Sequence, residues 1–236
     1  MNVTRIFMAA AACALAVCAS ARTAAQANAP LSPFTARYAV SKDGKRIGEA
    51  TLSLQRAGDV WLYQTRIRGT SGLASLLNVS LDETSAFRWQ GDSPMLVTYD
   101  YDLDSLMHSR QRHVRARGGE VHVRDGKHDY RYPAAAGMVE RHSAVLAIAA
   151  ELRHGATRFT LPVATRKRIE QQQFEVTGHD TVQVPAGQFE ATRVVRTDDN
   201  HGIRAWYAST GCATPVKLAQ GSSGLVLSLL TCSERR

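Results

Sequence analysis

Cysteine is scarce in this chain of 236 residues, which contains only four. Other signatures are missing altogether: there is no His-Glu-x-x-His pair, no Gly-x-Ser-x-Gly elbow, no Cys-x-x-Cys and no phosphate-binding glycine loop. These absences argue against the common zinc hydrolases, serine hydrolases, thiol oxidoreductases and nucleotide-binding enzymes. No apolar run after the N-terminal segment is long enough to span a bilayer. We therefore predict no catalytic residues, no metal, no cofactor and no transmembrane segment in the mature chain.

One apparent metal motif also fails. Asp100, Asp102 and Asp104 have the spacing that begins a calcium-binding loop. The required glycine is replaced by Ser105, and the bidentate glutamate is replaced by Gln111. We interpret the three aspartates as the polar face of a strand.

The N-terminus has the layout of a secretory signal. Arg5 precedes an apolar run over residues 6–17, and Ala27 ends a small-residue cleavage site. We expect residues 1–27 to be cleaved, which leaves 28–236 as a single β-rich domain in the periplasm of a Gram-negative cell. A lipoprotein signal ending at Cys18 is the less favoured alternative, because the residue before that cysteine is the β-branched Val17.

The charge balance is moderately basic. The formal net charge is +8, and it becomes +6 once Arg5 and Arg22 leave with the signal. Such an excess suits anionic lipid headgroups, acidic glycans or an acidic protein. The lysines and arginines are dispersed along strands rather than clustered, so nucleic acid is not an expected partner.

Most of the mature sequence alternates with period two, which predicts strands. The first strand places Phe34, Ala36, Tyr38 and Val40 on one face, and Asp43-Gly44 predicts a tight hairpin turn after it. A phase shift at Gly48-Glu49 predicts a bulge in the returning strand. Further strands are predicted at 61–67, 79–89, 95–103, 110–117, 120–124, 128–132 and throughout 157–232. The strand at 95–103 is expected to place Met95, Val97, Tyr99, Tyr101 and Leu103 on one face.

Only two segments favour helix. Ser143 can cap a helix that Gly155 ends, with Val145, Ile148, Ala149 and Leu152 on its buried face. Residues 70–78 are either a short helix or an apolar loop. The predicted fold class is therefore mainly β, a curved antiparallel sheet or half-barrel with one helix packed on it.

Residues 178–196, GHDTVQVPAGQFEATRVVR, predict a hairpin rather than an active site. If Val182 faces Phe189, the turn is Val184-Pro185-Ala186-Gly187, with proline and glycine where a type I turn favours them. A second hairpin, centred on Leu106, would pair Asp104 with His108, Asp102 with Arg110 and Asp100 with Arg112. That register predicts a ladder of ion pairs on one sheet face.

A third hairpin predicts a disulfide. Removal of the signal leaves only Cys212 and Cys232, and two cysteines in an oxidising compartment favour a bridge over a metal site. Centring the hairpin on Ser222 places the two cysteines opposite each other on neighbouring strands. We expect the bridge to fasten the C-terminal strand.

Four segments in order resemble a bacterial periplasmic family known as domain of unknown function 3108. They are FTARYAVSKDGKRIGEATLSLQR, GTSGLASLLNVSLDETSAFRW, FEVTGHDTVQVPAGQFEATRVVR and IRAWYASTGCATPVKL. The chain departs from the family at STGCAT, where the family has a plainer loop without cysteine. The resemblance implies a fold and a compartment, and it implies no reaction. More distantly, the chain is similar at fold level to half-barrel proteins that shield the lipid chains of lipoproteins.

Aromatic side chains on the strand faces are candidates for lining a ligand groove, although each could equally be core. The candidates are Trp61, Phe87, Trp89, Tyr99 and Tyr101, with Leu73, Leu76 and Leu77 as a flap or as plain core. The leading hypothesis is a non-enzymatic periplasmic binding or envelope-assembly factor for a lipid, lipoprotein or other amphiphile. The alternative is an envelope interaction protein with a basic docking surface and no cavity. A cell-wall-directed enzyme is third.

Overall fold

The computed structural model describes residues 31–199 and 202–234. The predicted signal peptide and Cys18 lie outside these residues. The described chain consists mainly of fifteen strands. In chain order they are β1 Phe34–Lys42, β2 Lys45–Ala57, β3 Val60–Gly69, β4 Ser80–Gln90, β5 Ser93–Asp104, β6 Arg110–Arg117, β7 Glu120–Asp125, β8 His128–Pro133, β9 Val139–Glu140, β10 Arg158–Ala164, β11 Ile169–Val184, β12 Gly187–Arg196, β13 Ile203–Ala208, β14 Lys217–Gln220 and β15 Leu225–Glu234.

Two α-helices and one 3₁₀ turn interrupt these strands. Helix α1 spans Gly72–Leu76, helix α2 spans Ala144–Arg153, and the 3₁₀ turn spans Gly221–Ser223. Neither α-helix of the described chain has the length and apolar composition of a membrane-spanning helix. The segment predicted as a short helix or an apolar loop is therefore the short helix α1.

All fifteen strands form one sheet in the order β8-β7-β6-β5-β4-β3-β2-β1-β15-β14-β13-β12-β11-β10-β9. Neighbours are antiparallel except the short β9–β10 pair. The sheet curls on itself: β7 and β10 lie near its opposite edges in the strand order, yet Ala164 of β10 packs in one cluster with Val121 and Val123 of β7. At the same closure, the Leu96 N–H of β5 donates to the Met138 carbonyl just before β9, at 2.9 Å. The prediction of a mainly β, curved antiparallel sheet with a packed helix is confirmed.

Several local predictions are also confirmed. Phe34, Ala36, Tyr38 and Val40 are all buried on one face of β1. Asp43 and Gly44 both have positive φ, as the predicted tight turn requires. The β1–β2 register shifts opposite Ile47, one residue from the predicted bulge. Val182 pairs with Phe189, and Val184 pairs with Gly187.

The expected ladder of ion pairs is wrong by one residue. Asp102 pairs with Gln111 and Asp100 with His113, so Arg110 and Arg112 lie on the other face of the sheet. The loop after β5 is closed by hydrogen bonds between the Ser105 hydroxyl and the His108 backbone, rather than by a turn centred on one residue. A one-residue slip moves every side chain to the opposite face.

The predicted apolar face of β5 is wrong at its first half. The β4–β5 register shifts between Ala86 and Phe87, where Val97 is the extra residue. As a result Leu96 is buried in the core, and Met95 is on the other face. A bulge adds one residue to one strand, which reverses the alternation beyond it.

Helix α2 lies inside the curl of the sheet. Its buried residues face several directions rather than one stripe, and they are mostly alanine: Ala144, Leu146, Ala147, Ile148, Ala149 and Ala150. Ile148 and Ala149 of the predicted face are buried and Val145 and Leu152 are partly buried, and further residues are buried because the sheet surrounds the helix. Gly155, with a φ of 76°, follows the last turn as predicted.

The predicted disulfide between Cys212 and Cys232 is present. Its setting differs from the prediction, since Cys212 lies in the irregular segment before β14 and not on a strand. The bridge joins that segment to β15, and both cysteines pack against the main core. It therefore holds an irregular connection against the centre of the sheet.

Replacing both cysteines (Cys212→Ser with Cys232→Ser) should lower the free energy of unfolding. The bridge closes a separation of 20 residues. In the chain-entropy account such a link contributes about 3 kcal/mol. Urea denaturation of the double variant should show this loss, and dithiothreitol should produce the same loss in the wild type. An unchanged midpoint in both experiments would contradict the prediction.

Candidate ligand cavity above helix α2

Glu140 organises the start of α2. Only 1 % of the residue is exposed, so its carboxylate needs internal hydrogen-bond partners. The backbone N–H groups of His142 and Ser143 donate to it at 2.6 and 2.8 Å, and the Ser85 hydroxyl of β4 donates to it at 2.7 Å. The carboxylate thus satisfies the two backbone donors that directly precede α2, and it lies at the positive end of the helix dipole. The Ser143 side chain, predicted as the cap, makes no capping hydrogen bond.

His142 connects this cap to the neighbouring strands. Its Nδ1 lies 2.6 Å from the Ser85 Oγ, and its Nε2 lies 2.8 Å from the Thr65 Oγ1 of β3. Because Ser85 donates its one hydroxyl proton to Glu140, Nδ1 must carry the proton in the bond to Ser85. The imidazole also stacks on Tyr63, with ring centroids 4.4 Å apart. In this arrangement His142 is a donor to Ser85 and does not act on it as a general base.

Arg141 sits between these two anchored residues and points into open space. Its side chain is 59 % exposed, whereas Glu140 and His142 are buried. The Nη2 donates to the Glu83 Oε1 of β4 at 3.1 Å, and the guanidinium lies 5.4 Å from the Tyr101 ring centroid. The same Glu83 oxygen accepts the Tyr99 hydroxyl. The surrounding protein partly desolvates the guanidinium and opposes its charge, but the adjacent Glu83 outweighs this effect and raises the pKa of Arg141.

Two cavities meet at Arg141. One, the helix cavity, has a volume of about 270 Å³ and lies between α2 and strands β10–β13. The other, the strand cavity, has a volume of about 310 Å³ and lies against β1–β4. Arg141, Val145, Ile203 and Leu218 line both. The walls are mainly apolar, and the volumes suit part or all of a small ligand.

A second charged group lies beside the helix cavity. Asp125 is 5 % exposed and accepts two hydrogen bonds from Arg110, at 2.8 and 3.1 Å. Arg112, which lines the cavity, donates to Asp125 at 3.2 Å, and Arg166 lies 3.5 Å away. One carboxylate thus meets three guanidinium groups, which leaves this corner net positive. The hydrogen bonds from Arg110 lower the pKa of Asp125 to about 2.

The sequence model of the family "Protein of unknown function (DUF3108)" matches residues 34–223. The chain belongs to this family. None of the curated proteins matches the chain. A crystal structure of a beta-barrel-like protein of domain of unknown function DUF1849 from Brucella abortus superposes with a TM-score of 0.47 and 10 % identity. The superposition covers 87 % of this chain and 99 % of that one.

The predicted groove residues of this DUF3108 chain separate into three groups. Tyr99 lines the helix cavity, and Tyr101 lies under Arg141. Phe87 is fully buried in the main core, with Trp61 and Trp89 packed against that cluster. The flap candidates Leu73 and Leu76 are exposed on α1, with Leu77 directly after it, and none of the three lines either cavity. Of these candidates only Tyr99 therefore lines a cavity, and Tyr101 contacts the arginine where the two cavities meet.

Sequence reasoning missed the residues that build the site. Glu140, Arg141 and His142 are consecutive, and their partners Thr65, Glu83 and Ser85 are more than 50 positions earlier. Three polar, ionisable residues directly before an alanine-rich apolar helix were the available signal. A charged residue cannot be buried in such a position without partners.

Glu140→Gln should destabilise the fold by about 2 kcal/mol, since it weakens charge-assisted bonds to buried donors. Chemical denaturation at neutral pH measures this loss. Glu151→Gln is the matched control, because it removes a carboxylate from the last turn of α2, away from the Glu140 network. Equal effects of the two substitutions would contradict the role assigned to Glu140.

Asp125→Asn should change how stability depends on pH. The pKa of Asp125 falls from 3.8 to about 2 on folding. A lowered pKa stabilises the fold above the unfolded value, and this stability is lost as the pH falls through the folded value. The free energy of unfolding of the wild type should therefore fall by about 2 kcal/mol between about pH 5 and pH 2. Asp125→Asn should show no such fall, because it lacks this contribution at every pH.

Thermal unfolding at a series of pH values measures this difference. Asp59→Asn removes an exposed carboxylate that pairs with Arg88, and it serves as the control. Parallel pH profiles for the wild type and Asp125→Asn would contradict the assignment.

Proposed function

We propose that this DUF3108 chain binds an amphiphile, with its apolar part in the two cavities and an anionic head group at Arg141. The observation that carries the proposal is the position of Arg141, an accessible guanidinium where two mainly apolar cavities meet. A wholly apolar ligand would make no polar contact with this guanidinium, and a wholly polar ligand would bury no apolar surface against the walls. A lipid or lipid-modified molecule satisfies both.

The guanidinium has capacity for such a head group. Arg141 carries five N–H donors and contacts Glu83 through Nη2. A carboxylate or phosphate can therefore be bound by the remaining donors in bidentate geometry. The anchored neighbours Glu140 and His142 hold the backbone at this position, so little conformational freedom is lost when a ligand binds.

The place of action we propose is outside the cytoplasm, in the periplasm. The disulfide supports this proposal, since such bridges persist in oxidising compartments. A cell-wall-directed enzyme has less support, because Ser85 is fully buried and its hydroxyl proton is directed at Glu140.

Binding of two fluorescent probes tests the proposal. Dansyl-undecanoic acid has an acyl chain with a carboxylate, and N-phenyl-1-naphthylamine has no charge. Arg141→Gln should weaken binding of the acid by about tenfold to 100-fold and leave the neutral probe unchanged, since a hydrogen bond to a charged group contributes about 1.5–3 kcal/mol. Leu218→Trp should weaken both probes, because it fills the junction of the cavities.

Two control variants accompany this test. Arg204→Gln removes an exposed arginine next to the lining residue Ile203. Trp89→Ala alters the core outside both cavities and should reduce stability without weakening either probe. Failure of the wild type to bind any probe would overturn the proposal, and so would equal losses in Arg141→Gln and Arg204→Gln. Native mass spectrometry of the purified protein then identifies a co-purified ligand.

A further inference from the structure

Four large apolar side chains are displayed at one end of the sheet. Leu73 and Leu76 of α1 and Leu106 and Met107 of the β5–β6 loop are each between 73 and 79 % exposed. Single exposed leucines are common on protein surfaces, but these four belong to two loops in contact. The Leu106 N–H donates to the Leu77 carbonyl at 3.0 Å, directly after α1. We call these four residues the apolar tip.

The apolar tip rests on ordered backbone. The Val79 N–H donates to the Ala74 carbonyl at 2.9 Å, and the Ser71 hydroxyl donates to the Arg46 carbonyl at 2.7 Å. A side chain at Gly69 would come within 2.4 Å of the Ala74 carbonyl oxygen, so α1 is packed closely on the end of β3. Leu73 and Leu76 are three residues apart and share one face of α1. The fold therefore holds these side chains toward solvent.

Basic groups flank the apolar tip on both sides. Residues 70–79 contain no charged residue, but Lys45 and Arg46 lie at the adjoining start of β2. On the other side, the β6 and β7–β8 ends form a depression of about 630 Å³. Asp125 carries the one carboxylate among the described residues of this depression. The charged and histidine side chains that line it are His108, Arg110, Asp125, Lys127, His128 and Arg166. Asp104 ends β5, and residues 105–109 of the following loop contain no acidic residue.

We propose that this end of the sheet docks on an anionic phospholipid bilayer. The apolar tip enters the boundary between headgroups and acyl chains, and the flanking lysines and arginines contact the anionic headgroups. An apolar projection between basic flanks matches the layered polarity of such a surface. An acidic protein would match the basic flanks but not four projecting apolar side chains without a groove to receive them.

The orientation brings the cavities toward the membrane. The cavity-lining residues Ile67, Ile203 and Gln220 lie at the strand ends of the same side of the sheet as α1. The substitutions that test docking, at Leu73, Leu76, Lys45 and Lys127, change no residue of the cavity walls. The docking test is therefore independent of whether an amphiphile binds at Arg141.

Sedimentation of the purified chain with vesicles tests the proposal. Vesicles of phosphatidylglycerol and phosphatidylcholine in a 3:7 ratio should bind it, and pure phosphatidylcholine should bind it at least about tenfold more weakly, because each basic residue near an anionic surface adds to binding. Leu73→Ser with Leu76→Ser should reduce binding at least about tenfold, because each inserted leucine buries apolar area. Lys45→Gln with Lys127→Gln should reduce it by a similar factor.

The matched control is Arg56→Gln with Arg117→Gln, which removes the same charge from exposed sites at the opposite end of the sheet. It should retain nearly the wild-type affinity. The proposal is overturned if the wild type ignores anionic vesicles, or if the control pair loses as much binding as the other pairs. Retention on poly-glutamate resin without vesicle binding would also overturn it, in favour of an acidic protein partner.

Discussion

The buried carboxylate of Glu140 is the constraint on which the interior depends. Removing a charge from water is costly unless hydrogen bonds replace the lost hydration. Here the replacements come from the backbone directly before α2 and from Ser85 of β4, and His142 extends the connection to Thr65 of β3. The helix can occupy only one position relative to the sheet if these groups are all to be satisfied. Arg141, between two anchored residues, is directed by the same arrangement.

The alanine content of α2 explains how a helix fits inside the curl. Six of its ten residues are buried and four of those six are alanine, and small side chains let the surrounding strands approach the helix backbone. The helix begins about midway along the strands and runs toward the Asp92 turn, where His154 pairs with that carboxylate. It fills the interior on that side only. The space beyond its N-terminus is bounded mainly by apolar strand faces and contains the Arg141 side chain, so a mainly apolar chamber with Arg141 at the junction of the two cavities follows from the position of the helix.

The two ends of the sheet consequently differ in chemistry. One end is closed by α2 and by the Cys212–Cys232 bridge, which fastens an irregular segment to the core. The other end has the cavities, the three guanidinium groups around Asp125 and the apolar tip. The chamber and the exposed apolar tip lie at the same end, which is the arrangement that the proposed amphiphile binding and the proposed membrane docking require. Membership of the DUF3108 family shows which proteins this chain is related to, but it does not assign the chain a reaction.

The sequence by itself determined the features that neighbouring residues encode. Alternating polarity predicted the strands, Asp43-Gly44 and Pro185 to Gly187 predicted their turns, and the last two cysteines predicted the bridge. Tertiary structure decided the β5–β6 register, the bulge at Val97 and the irregular setting of Cys212, because these depend on how a loop packs against distant segments. It also brought Thr65, Glu83 and Ser85 to Glu140, Arg141 and His142. The neighbours of these polar residues in the sequence give no sign that they interact. They become partners only when the sheet closes around α2 and excludes water from the space between them.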